Sequence, residues 1–232
     1  MGAIANKDAG SKANTLHGST KVATPPKAAA VAGVIFAVLM ITGLWMVRIT
    51  VPANPTTGTW FLDPGNRRLF GFALQLMPFA GIAFLWFIGV LRNRLGKLED
   101  QFFATVFLGS GLMFVACMFS ATAIAGVFLE GVSAGNEHVV RGETYYPLQR
   151  FAQVLMNVFA IKMAAVFMFT TSTIALRTAI LPRWIAISGF GFGLAMVAII
   201  ATWTWIQLIF PTWMLLVSVR ILLADLSRPT EN

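Results

Sequence analysis

Histidine, cysteine and carboxylate are scarce in this chain, and each scarcity removes a class of chemistry. Two histidines, His17 and His138, and one cysteine, Cys117, are present in 232 residues. A haem-bearing membrane bundle takes its axial ligands from within its helices. Here both histidines fall in polar segments, so a bis-histidine haem is excluded. No cluster of His, Cys and carboxylate has metal-ligand spacing. No apolar segment pairs a serine with a histidine that would activate it, which argues against a triad-type intramembrane hydrolase. A phosphate-binding loop with its lysine is missing as well. A lone cysteine cannot form an intramolecular disulfide, and Cys117, inside an apolar run, reads as a small buried hydrophobe. No cofactor and no metal are expected, and an enzyme is the least supported class.

Charge is the second scarcity. Charged residues make up 11% of the chain and hydrophobic ones 57%, where a typical soluble domain is about a quarter charged. A soluble fold of this composition would lack the polar surface to stay in solution. The net charge of +8 invites a nucleic-acid reading, which needs basic residues clustered on one face. The lysines and arginines instead sit in a tail and in short joins between apolar runs, as membrane orientation signals do. The expected partner is therefore a lipid bilayer, with no nucleic acid.

What fills the chain is a series of six long apolar stretches behind a polar tail. Residues 1–27, rich in Ala, Gly, Ser, Thr and Lys, have too little apolar surface to repay ordering and are expected to form a disordered, basic, cytoplasmic tail. A cleavable signal peptide ending near Val51-Pro52-Ala53 is the rival reading. Signal peptides have short leaders and apolar cores of about 7–15 residues, whereas Ala28 to Val47 is a full span. A retained anchor is expected.

A helix needs about 20 apolar residues to cross a bilayer. Spans are expected at Ala28 to Val47, Leu69 to Leu91, Phe102 to Leu129, Gln149 to Leu176, Trp184 to Trp205 and Leu208 to Ala224. The fold class is all-α: a polytopic transmembrane helical bundle over residues 28–226, with six spans and a short cytoplasmic tail at 227–232. The last two spans part only at a weak break around Gln207 and Pro211, so five spans with one broken helix is the alternative. Lys7, Lys12, Lys21, Lys27, Arg92, Arg94, Lys97, Arg177, Arg183 and Arg228 then face the cytoplasm. Arg48, Arg67, Arg68, Arg141 and Arg150 face outward, so the basic excess lies inside as the positive-inside rule asks, with both termini cytoplasmic. Tryptophans prefer membrane boundaries. Trp45, Trp203, Trp205 and Trp213 fall at expected outer ends, and Trp86 and Trp184 near inner ends.

The third and fourth spans exceed a simple crossing and should tilt or project. The outer loop that joins them, 131–148, holds Glu137, His138, Arg141, Glu143 and both tyrosines, Tyr145 and Tyr146. It is expected to be a solvated hairpin anchored by its tyrosines, or else a docking surface for a protein partner, since function favours loops. Ala29, Gly33 and Ala37 on the first span, and Gly189 and Gly193 on the fifth, have the four-residue spacing that lets helices approach closely in lipid. These are expected to be seams within one chain.

Lys162, at the middle of the fourth span, is the one ionisable residue deep in an apolar run. Such a lysine costs about 2.5–3.5 kcal/mol on insertion scales and faces a bundle interior or a wet cavity. No carboxylate lies at its depth. Gln75, Ser120, Thr122, Gln153 and Asn157 map to the outer half of the membrane, and Pro78 frees the carbonyl of Leu74 in the same zone. Gln153 and Asn157 share one helix face, and Lys162 lies well round from it. A candidate polar pocket near Lys162 is set against a plainer reading, in which these groups are hydrogen-bonding glue between helices. In that reading Lys162→Met would be neutral or stabilising.

The stretch from Pro78 through Phe84-Leu85-Trp86 to Arg92-Asn93-Arg94-Leu95-Gly96, with Glu99-Asp100 and Gly109-Ser110-Gly111, resembles uncharacterised bacterial multi-pass, six-helix membrane proteins. The join Leu181-Pro182-Arg183-Trp184 ahead of a glycine-rich span is similar to theirs too. The resemblance implies a helical bundle in the plasma membrane and carries no activity or catalytic residue. Two functional classes remain. One is a membrane scaffold or accessory subunit; the other is a small transporter or ligand-binding protein with a polar outer-leaflet pocket near Lys162. Oligomeric state is not written in the sequence.

Overall fold

Local chemistry sets where the helices start. In this computed structural model, α1 (Pro26–Thr50) opens on a proline, which needs no amide partner in the first helical turn and arrives with its φ already helical. The helix therefore begins two residues before the expected Ala28. The same device starts α2 (Pro64–Leu95). Asp63 precedes Pro64 and its Oδ1 accepts the Gly65 amide at 3.1 Å, as an N-cap carboxylate does. Arg67 and Arg68 thus lie on the first turns of α2 rather than in a loop.

The remaining elements are α3 (Gln101–Ser133), α4 (Gly142–Val154), α5 (Ile161–Thr178), α6 (Arg183–Ala198) and α7 (Ile209–Leu226), with short 3-10 turns at Thr59–Leu62 and Ile206–Leu208. A π-helical segment, Leu155–Ala160, joins α4 to α5, so those two form one long rod. The described residues are 26–52, 58–95, 101–135, 142–178, 181–198 and 205–226, and among them there is no strand. The expected cytoplasmic tails lie outside them apart from Pro26 and Lys27, as does the middle of the expected outer loop with Glu137, His138 and Arg141.

The protein is an all-helical integral membrane protein. Five helical stretches are long and apolar enough to cross a bilayer: Lys27–Thr50, Pro64–Arg92, Phe102–Ser133, Glu143–Arg177 and Ile206–Ala224. The sixth, α6, has 16 residues, about 24 Å of helix against a hydrocarbon core of about 30 Å. Its expected extension toward Trp205 covers residues 199–204, which lie outside the described residues. A 3-10 turn at Ile206–Leu208 precedes α7, at the Gln207 side of the break expected around Gln207 and Pro211. Pro211 sits in the first turn of α7, where amides have no helical acceptor to lose.

α1 packs along α2 and α7, α3 lies against α2 and α5, and α6 runs along α5. The ends of α1 and α3 and the starts of α2 and α4 share one end of the bundle, here the distal end; Pro26 and Leu226 lie at the proximal end. The core is aromatic. Phe36, Phe84, Phe114, Phe167 and Phe210 come from five different helices and are each buried. Phe210 sits among the other four, 4.9 Å from Phe114 and 5.6 Å from Phe84 between ring centres. Edge-on ring pairs add about 0.5–1.5 kcal/mol each beyond burial.

Trp213 joins this interior instead of the expected membrane boundary. It is buried, with Nε1 donating to the Ile185 carbonyl at 3.4 Å. Its ring fills the notch left by Gly189, where an added Cβ would stand 2.8 Å from Trp213 Cζ2. Trp86 and Trp184 are exposed near the proximal end, and Trp45 and Trp205 lie against each other near the distal end, 5.7 Å apart.

Candidate functional site

A second, smaller aromatic cluster covers the distal end. The 3-10 turn after α1 places Trp60 on Phe61, 3.8 Å between ring centres. Phe61 meets Phe70 edge-on at 5.2 Å and packs with Phe128, Val132 and Tyr145. Trp60 Nε1 donates to Tyr145 Oη at 2.9 Å. Tyr145 is therefore buried, and only Tyr146 of the pair is exposed. Much of the expected outer loop is helix: α3 runs to Ser133 and α4 resumes at Gly142. Gly135 follows α3 with φ +78°, a left-handed stop that suits a residue without Cβ.

Between this cap and the phenylalanine core lies a half-open cavity of about 190 Å³. Its apolar wall comes from Leu44 and Val47 of α1, Phe70, Leu74 and Met77 of α2, and Met118 and Phe128 of α3. Its polar wall comes from Arg48, Thr122, Tyr145, Gln149, Gln153, Asn157 and Gln207. Gln149, Gln153 and Asn157 follow one another at four-residue steps, which puts them on one stripe of the α4 rod. The stripe enters the π segment, a wider turn that often marks functional positions in helices. There the Ile161 amide reaches back five residues to the Met156 carbonyl.

Hydrogen bonds fix several of these groups. Gln207 Nε2 donates to Asn157 Oδ1, linking the turn ahead of α7 to the π segment. Arg150 Nη1 donates to Gln153 Oε1 at 3.4 Å. Thr122 Oγ1 donates to the Met118 carbonyl one turn back at 2.8 Å, the usual way a hydroxyl is satisfied inside an apolar helix. Pro78 leaves the Leu74 carbonyl without its helical amide, and Leu74 lines the cavity.

Of the residues singled out from sequence, Thr122, Gln153 and Asn157 line this cavity. Gln75 and Ser120 do not: both are exposed on the bundle's outer face. Matching depth along a helix leaves azimuth open. Gln75 is turned about 100° from Leu74, and Ser120 about 200° from Thr122, at 3.6 residues per turn.

Lys162 lies elsewhere as well. Its Nζ donates to the Met196 carbonyl at 3.2 Å and to the Val197 carbonyl, in the last described turn of α6. Backbone carbonyls thus supply the oxygen partners that a lysine inside a membrane bundle takes. No family model matches the chain, and no curated protein or solved structure matches it either.

Sequence reasoning passed over Arg48, Trp60, Tyr145, Gln149 and Gln207 as site residues. The i, i+4, i+8 run from Gln149 was a usable signal. The convergence of Arg48, Trp60 and Gln207 on it was not, because they arrive from separate parts of the chain.

Proposed function

We propose that this is a membrane protein that binds a small molecule in the distal cavity. The orientation that the basic residues suggest would open the cavity toward the outer side of the plasma membrane. The supporting observation is the cavity itself, in which a charged side chain, three amides on one stripe and a tyrosine converge on an otherwise apolar space at a π segment. Pockets of mostly apolar wall with a few placed polar groups are where ligands bind.

Below the cavity, toward the proximal end, the phenylalanine core encloses a void of about 10 Å³ beside Met196 and Gln207. Among the described residues its packed rings favour binding, or transport through a second conformation, over an open channel. The scaffold reading has less to rest on. Its small-residue seams are filled within the chain, Gly33 by Ser218 and Gly189 by Ser172 and Trp213.

The test is solvent access. In a Cys117→Ser background, Asn157→Cys should react with a small water-soluble thiol reagent added outside intact cells. Phe159→Cys, exposed on the lipid-facing side, should not. Equal inertness of the two would show that the cavity is sealed, and would end the binding reading.

A further inference from the structure

We infer that the ligand is a small uncharged molecule, a ring-sized apolar body bearing a carbonyl group; this rests on the reading of the cavity as a binding site. Formal charge of either sign is disfavoured. Arg48, the cation among the described lining residues, is already engaged within the chain, so an entering anion finds no free counter-charge there. No carboxylate stands among the described lining residues, so an entering cation finds none either. Moving an ion from water into a mostly apolar space without a partner is costly, and an uncharged ligand avoids that cost.

Hydrogen bonds inside the wall decide what the ligand must offer. Trp60 Nε1 can only donate, so Tyr145 Oη accepts from it and keeps its own hydrogen to give. Arg150 can only donate as well, so Gln153 turns Oε1 toward it at 3.4 Å and keeps both amide hydrogens. Thr122 is satisfied within its own helix through the Met118 carbonyl. Asn157 and Gln207, bonded amide to amide, retain a donor and an acceptor between them. The two groups whose direction is fixed, Tyr145 and Gln153, therefore both donate. Their complement is an acceptor with no hydrogen of its own, which a carbonyl oxygen supplies.

Shape and size set the body. Tyr145, Gln149, Gln153 and Asn157 are four apart in sequence and share one face of the rod, so a ligand meets polar groups along one edge. Met77, Met118 and Phe128 of α2 and α3 give its other edge an apolar surface. An engineered apolar cavity of about 150 Å³ holds benzene, and this one measures about 190 Å³. An acetophenone-sized molecule fits. Two sources supply such a carbonyl, a free small molecule or the ester of a membrane lipid whose chains stay outside, and the probes must separate them.

The experiment uses the full chain in phosphatidylcholine nanodiscs, with empty discs as the blank and calorimetric titration of acetophenone, ethylbenzene, benzoate and benzylamine. Acetophenone should bind about tenfold more tightly than each of the others, the effect of one well-made hydrogen bond. Ethylbenzene binding as tightly would overturn the carbonyl, and benzoate or benzylamine binding as tightly would overturn the uncharged ligand. Gln153→Glu keeps the contact to Arg150 while removing both donors, and Tyr145→Phe keeps the ring in its packing. At least one of the two should cut the preference for acetophenone over ethylbenzene severalfold; a preference intact in both would overturn the assignment. Diether phosphatidylcholine discs separate the sources: tighter acetophenone binding there points to a competing lipid ester, and no gain points to a free molecule. Failure of all four probes beside a reactive Asn157→Cys would overturn this ligand class and leave the cavity. Beside an inert Asn157→Cys, it would overturn both.

Discussion

Gly33 and Gly189 each face a serine whose hydroxyl has no hydrogen-bond partner among the described residues. A Cβ on Gly33 would stand 2.0 Å from Ser218 Oγ and 3.0 Å from Phe87 Cδ2. One on Gly189 would stand 2.1 Å from Ser172 Oγ. Both serine oxygens are buried and unpaired, so these crossings are held by close packing, as small-residue seams in lipid are. Gly33→Ala should destabilise the bundle by about 1–3 kcal/mol, the range for overpacking. Ser218→Ala should be close to neutral, since it removes an orphaned hydroxyl. The double variant should recover much of the loss. Unfolding of purified protein measures all three, and simple additivity would show that Ser218 is not what Gly33 accommodates. The glycine spacing was legible in the sequence; the partner helix of each glycine was not.

α6 is the element that Lys162 ties down. The lysine Nζ donates to the carbonyls of Met196 and Val197 in the last described turn of α6. A lysine at this depth needs oxygen partners, because water is scarce there. This reverses the expectation for one substitution. The sequence by itself predicts a neutral or stabilising Lys162→Met, because it removes a costly charge. With these two bonds in view, it should destabilise by about 1–3 kcal/mol, the range for hydrogen bonds made by a charged group, while Lys162→Arg should retain part of the stability. A thermal midpoint unchanged or raised in Lys162→Met would refute a stabilising role for the two bonds. The lysine's depth was readable from the chain, and so was its need for an oxygen partner. Which oxygens it meets depended on how α6 packs along α5.

Across the whole molecule, two aromatic clusters divide the bundle, and the cavity is the space they leave. The phenylalanine core draws its rings from α1, α2, α3, α5 and α7, and the distal cap adds Phe61, Phe70, Phe128 and Tyr145. Pro26 and Leu226 share the opposite end, so the topology yields a direct test. In a Cys117→Ser background, a membrane-impermeant thiol reagent should label Ala134→Cys on intact cells and leave Ser227→Cys unlabelled. The opposite pattern would invert the orientation drawn from the basic residues and turn the cavity toward the cytoplasm.

Composition and apolar run length by themselves determined that this chain is a helical membrane protein, because covering some 20 residues of backbone in hydrocarbon leaves a helix as the available single-segment solution. Periodicity also placed Gln153 and Asn157 on one face, since residues four apart on a helix are neighbours. Tertiary structure alone decided the rest. Trp213 left the expected boundary for the interior because Gly189 opened a notch for it. Tyr145 turned inward because Trp60, 85 residues away in sequence, reached its hydroxyl. Arg48 and Gln207 joined the stripe from α4 by the packing of α1 and α7, and Gln75 and Ser120 were turned away by it. A sequence fixes height along each helix through hydropathy. The rotation of one helix against another is set by ring-to-ring and glycine-to-serine contacts between distant segments, and no local pattern encodes those.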